Sequence, residues 1–100
     1  MMIRIVKLTI DPGSIEQFMD YFNRVSGDIR SFSGCSRLEL LADLNTPGVL
    51  FTYSYWEDEE ALRLYQQSDL FKSTWALVKP LFAAKAEAWS MVRIKEIELI

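Results

Sequence analysis

The chain has 100 residues, half of them apolar and a quarter charged, with a net charge of −3, one cysteine and no histidine. That balance excludes a disordered chain, the lone cysteine excludes an internal disulfide framework, and the length fits one domain. The lack of histidine removes the commonest general base and the commonest zinc ligand from every mechanism considered.

Met2 to Ile10 alternates as a strand, with Arg4, Val6, Leu8 and Ile10 on one face and Ile3, Ile5, Lys7 and Thr9 on the other. Asp11-Pro12-Gly13 reads as a turn, with Ser14 as the N-cap of a helix. Ile15, Phe18, Met19, Phe22, Val25 and Ile29 carry that helix to about Arg30. Ser33-Gly34 stops it. Cys35 to Ala42 and Val49 to Trp56 are two further strands, joined as a hairpin through Asn45-Thr46-Pro47-Gly48. The acidic run Glu57 to Glu60 suits a helix start. Ser68 looks like a second N-cap, so the helical region should break near Gln67 and resume through Leu70, Phe71, Trp75 and Val78. Pro80 ends it or permits one short further turn. Ala84 to about Ile97 alternates again as a long last strand. The order β-α-β-β-α-β is the ferredoxin-like α+β plan: one antiparallel four-stranded sheet with helices on one face, spanning residues 1–100 as a single domain.

Helices can cover only one side of such a sheet. Val49, Phe51, Tyr53 and Tyr55 share one face of the third strand, and Trp89 and Met91 lie among the alternating positions of the last. Large aromatics left in water are a liability of several kcal/mol at ~25 cal/mol per Å². A homodimer packed sheet to sheet is therefore expected. On the helix side a set of small residues, Thr52, Ser54, Ala86, Ala88 and Ser90, could leave a gap rimmed by Phe22, Trp56, Tyr65, Phe71 and Trp75. Alternatively, they simply make room for the large helix aromatics. The acidic balance and the absence of a basic-aromatic pattern on the central strands exclude an RNA-recognition module, and no segment approaches a bilayer span. The chain opens directly on a strand pattern, which is read as no signal peptide and hence a cytoplasmic protein.

Tyr55-Trp56-Glu57-Asp58-Glu59-Glu60-Ala61-Leu62, then Tyr65, then Ser68-Asp69-Leu70-Phe71-Lys72, resembles the antibiotic biosynthesis monooxygenase (ABM) domain family. Asp11-Pro12-Gly13 and Ser33-Gly34-Cys35 fit the same pattern, so the likeness covers nearly all of residues 2–94. It implies a dimeric α/β barrel built from ferredoxin-like subunits. Some members oxidise polycyclic aromatic phenols to quinones with O2 and neither metal nor flavin, the substrate's own phenolate or carbanion donating the electron. Trp56 matches the tryptophan of those enzymes, but the Asn they place four residues earlier falls on Thr52, which lacks the amide's donor and acceptor pair. Relatives that degrade haem share the Ser-Asp-x-Phe-Lys run. Their axial His falls on Trp75 and their pocket Trp on Tyr65, so His-ligated haem is excluded here.

The resulting expectation is a cofactor-independent monooxygenase acting on a small aromatic or quinol-like molecule. Thr52, Trp56, Tyr65, Phe71 and Trp75 would line its substrate pocket. The alternative is a non-catalytic dimeric barrel that binds a hydrophobic metabolite. Each site residue also has a plainer reading: Trp56 as a structural ring closing the sheet end, Tyr65, Phe71 and Trp75 as core, and Ser68 as a cap. Cys35 has no His partner to activate it. Arg4 and Arg93 could each reach an anionic substrate or sit in a dimer seam.

Overall fold

The alternating segments become strands and the 3.6-periodic ones become helices that bury one side of the resulting sheet. The computed structural model describes residues 1–99. In chain order the elements are β1 (Met2–Thr9), α1 (Ile15–Arg30), β2 (Cys35–Ala42), β3 (Val49–Trp56), α2 (Glu59–Gln66), α3 (Asp69–Val78) and β4 (Glu87–Val92). Short 3-10 turns at Pro12–Ser14 and Lys79–Leu81 lead into α1 and out of α3. The sheet is antiparallel with order β2-β3-β1-β4, the ferredoxin-like arrangement. Among the described residues no helix is long and apolar enough to cross a membrane.

Register settles which residues share a face, because directly paired residues of antiparallel strands point the same way. Arg4 pairs with Ser54 on one side and Ser90 on the other, and Val6 pairs with Thr52 and Ala88. Ile5 pairs with Tyr53 and Trp89, which lie on the opposite, helix-free face.

Local chemistry sets the boundaries. The Asp58 carboxylate accepts from Ala61 N at 2.8 Å and starts α2. Ser68 Oγ accepts from Phe71 N at 3.1 Å and starts α3, so the break near Gln67 is where expected. Gly34 has φ of +89°, and a Cβ there would sit 2.5 Å from that of Ala61. The glycine thus lets the β2 entrance lie against α2.

Two expectations need correction. Ser14 occupies the N-cap position of α1, but its side chain makes no cap bond. The Asp11 carboxylate instead accepts from Gly13 N at 2.9 Å and caps the preceding 3-10 turn. The last strand spans only Glu87–Val92, not Ala84 to Ile97. Val92 pairs with Met2, where β1 begins, so a longer β4 has no partner strand within this chain. Residues 93–99 continue without pairing and leave Ile94, Ile97 and Leu99 exposed.

Candidate functional site

On the helix-covered face, large side chains stand at the ends of the central strands and small or polar ones in the middle. β1 runs Met2, Arg4, Val6, Leu8, against Trp56, Ser54, Thr52 and Leu50 of β3. The ends pack into two separate clusters. Leu8, Ile10, Phe18, Leu50, Val78 and Leu81 close one end, and Met2, Cys35, Trp56, Ala61 and Leu62 close the other. Between them lies a cavity of about 290 Å³. Its sheet side is Arg4, Val6, Leu38, Thr52, Ser54, Ala86 and Ala88; its helix side includes Phe22 and Val25 of α1 and Phe71, Thr74 and Trp75 of α3. Ala88 and Ser90 of the edge strand remain exposed although they share the covered face, so the helices do not close over this side.

The aromatic residues do not fill this gap because they pack against one another along its wall. Trp56 stacks on Tyr65 with centroids 4.9 Å apart, and Tyr65 meets Phe71 edge to face at 5.2 Å. Phe71 stacks on Trp75 at 5.9 Å, and Trp75 meets Phe82 edge to face at 5.4 Å. Each ring satisfies its neighbour in a geometry that aromatic quadrupoles favour. The small residues across the cavity are then unopposed.

The polar groups in the cavity differ in how they are satisfied. Trp56, only 1% exposed, donates from Nε1 to Ser54 Oγ at 2.9 Å, and Ser54 donates to Arg4 O at 3.5 Å. Burial, with a smaller contribution from Cys35, pushes the Tyr65 hydroxyl up to about 12. It therefore stays protonated at neutral pH and acts as a donor, not a base. The Thr74 hydroxyl is buried without a hydrogen-bond partner. Burial draws the Arg4 guanidinium below its ordinary value. Cys35 is buried, its Sγ lies 3.5 Å from Arg37 O, and burial raises its thiol, which suits an inert core residue. Among the described residues no three His, Cys, Asp or Glu side chains gather as metal ligands.

All five residues read from sequence as pocket lining, Thr52, Trp56, Tyr65, Phe71 and Trp75, border this one cavity, as does Phe22. Trp56 also belongs to a packed cluster, so it is wall and core at once. The two arginines separate. Arg4 lines the cavity, whereas Arg93 is on the helix-free face, donating to the Tyr55 hydroxyl at 3.0 Å. Sequence reasoning did not single out Thr74, Gln66 or Leu38, which also line the cavity. Thr74 could have been found from its position three residues after Phe71, on the same side of α3.

The antibiotic biosynthesis monooxygenase family model matches residues 1–76. No curated protein matches the chain. Among solved structures, a conserved protein from Methanosarcina mazei Go1 is similar at 24% identity and a TM-score of 0.84, covering 90% of each chain. A Caulobacter crescentus CB15 protein named for the same family has 21% identity and a TM-score of 0.86, covering 94% of this chain and 91% of its own. A structure titled antibiotic biosynthesis monooxygenase has 19% identity and a TM-score of 0.88, covering 95% of this chain and all of its own (100%). At such identities these structures speak for the fold. The family match extends over three of the four strands and most of the helical layer, including the five pocket residues, and the chain belongs to the antibiotic biosynthesis monooxygenase family.

Proposed function

We propose that the chain is a cofactor-independent monooxygenase that oxidises a small aromatic or quinol-like molecule with O2 inside the cavity between helices and sheet. The observation that carries this reading is the cavity itself: ring-walled, about 290 Å³, with hydroxyls at a few points. The family supplies the reaction class.

In this reading Trp56, Tyr65, Phe71 and Trp75 flank the substrate ring, and the Thr52 and Tyr65 hydroxyls orient its oxygen substituents. The apolar lining strips water from the ring and from O2. Tyr65 holds its proton at neutral pH, so it hydrogen-bonds the substrate oxygen without deprotonating it. The substrate's own ionised phenol then supplies the electrons. For a ring methylene the balance is CH2 + O2 → C=O + H2O, with all four electrons drawn from the substrate and one oxygen atom leaving as water.

The same reading includes a homodimer formed through the helix-free face. Trp89 and Met91 are 42% and 45% exposed there, beside half-buried Ile3, Ile5, Phe51 and Tyr53. A second copy of this face would cover them. Sedimentation at micromolar concentration should give twice 11.6 kDa, and Trp89→Glu should return it to the single mass.

Oxygen uptake with naphthol-, quinol- and anthrone-type phenols tests the activity. At least one should consume O2 and yield a keto or quinone product, and Ala88→Leu, which narrows the cavity, should lower the rate. Binding without uptake by any of them would leave a non-catalytic barrel holding a hydrophobic metabolite.

A further inference from the structure

Several basic side chains of this protein meet carboxylates at the surface. Lys7 pairs with Glu87, Arg37 with Glu39 and Arg63 with Glu60. Arg4 differs. It lines the cavity, and no carboxylate of the described residues lies within ion-pair reach of it. Its Nη1 donates to Ser90 Oγ at 2.9 Å. The Nε and Nη2 edge has no acceptor among the described residues. A half-buried guanidinium without a counter-charge is unfavourable, and a carboxylate bound side-on offers two parallel N–H···O bonds to just such an edge. Thr74 adds an independent sign of an absent polar guest, because its buried hydroxyl has no partner and borders the same cavity.

Size narrows the guest. A dry apolar cavity of about 150 Å³ suffices for one benzene ring, so about 290 Å³ suits two fused rings. The rest of the lining is mostly apolar, which leaves Arg4 as the cation a charged substituent would meet.

We propose that the cavity selects a bicyclic aromatic carboxylate whose two oxygens bind the Nε and Nη2 edge of Arg4. This rests on the cavity being the ligand site and holds whether or not oxidation takes place there. Thr52 and Tyr65 offer hydroxyls to neutral and charged guests alike, so discrimination by charge falls to Arg4.

Calorimetric titration at pH 7 with 2-naphthoate and with 2-naphthamide, the same shape without the charge, provides the test. The wild-type protein should bind the acid at least ~10-fold more tightly, the discrimination expected of a charge-assisted pair. Arg4→Met should bind the two alike, with its affinity for the amide within about twofold of wild type, because the apolar lining that holds the rings is kept while the guanidinium is lost. Arg4→Lys should keep part of the preference, having the charge without the fork. Circular dichroism checks that each variant is folded; should Arg4→Met not fold, the wild-type ratio and Arg4→Lys still decide. Equal affinities in the wild type, or a preference that survives in Arg4→Met, would overturn the inference. Binding of neither probe at millimolar concentration would overturn it together with the cavity as a ligand site. An Arg4-dependent preference with no phenol oxidised would uphold it and remove the monooxygenase reading alone.

Discussion

The two ends of the helix-covered face and its middle are built from the same strands, yet they differ as a packed interior differs from a binding site. At the ends, Leu8 against Leu50 and Met2 against Trp56 present large side chains that the helices bury. In the middle, Val6 against Thr52 and Arg4 against Ser54 present less apolar bulk, and Ala88 on the edge strand and Ala86 just before it add almost none. The helices rest on the two ends and bridge the middle. The contrast teaches that a 100-residue domain can keep a hollow if its buried clusters stand on either side of it. Close packing at the ends bears the stability, and the middle is left for chemistry.

The sharpest way to break the contrast is Trp56→Ala. It removes the most buried ring of one end cluster together with its bond to Ser54, and should cost about 3–5 kcal/mol in a denaturant titration. A loss below 1 kcal/mol would mean that Trp56 belongs to the site alone. Gly34→Ala acts on the same end through the backbone. Its positive φ and the nearby Ala61 Cβ should make it less stable by about 1–3 kcal/mol, read by the same titration. Thr74→Val probes the middle and should have the opposite sign. Removing a buried, unpartnered hydroxyl should raise the thermal midpoint of the empty protein, by about 1 kcal/mol of stability. The smallest effect belongs to Ala88→Leu, at an exposed position on the cavity side. It should change stability by less than ~0.5 kcal/mol while weakening ligand binding.

Much of this architecture was legible in the residues. Alternation located the start of every strand to within a few residues. Ser68 and its acidic neighbour marked the break between α2 and α3, because capping is local chemistry that needs no tertiary contact. Other features depended on partners distant in sequence. The alternation of β4 continues past Val92 towards Ile97, but β1 ends at Met2, so a pattern without a neighbour gives no ladder. Ser14 stands at the N-cap position of α1 without a side-chain bond, because a 3-10 turn capped by Asp11 already leads into the helix.

The site was legible as composition and not as space. Small residues at Thr52, Ser54, Ala86 and Ala88 were visible in the strands, but spacing could not decide whether helix aromatics would fill the gap. That depended on Tyr65, Phe71 and Trp75 stacking along the helices in preference to reaching across. Arg4 carried a usable signal, a charge in the same row as Val6 and Leu8, where an apolar side chain would be expected. Its separation from Arg93 came only with the register, which sends Arg93 towards Tyr55 on the other face.

The most direct measurement of the central claim, that the middle of the covered face is a ligand site, is a methyl chemical-shift map during titration with 2-naphthol. Shifts should concentrate at Val6, Val25, Leu38, Leu62 and Ala88 around the cavity, while Leu50 and Leu81 in the packed end remain unmoved. Shifts centred on Ile3, Ile5 and Leu41 of the helix-free face, or none at saturating probe, would contradict it.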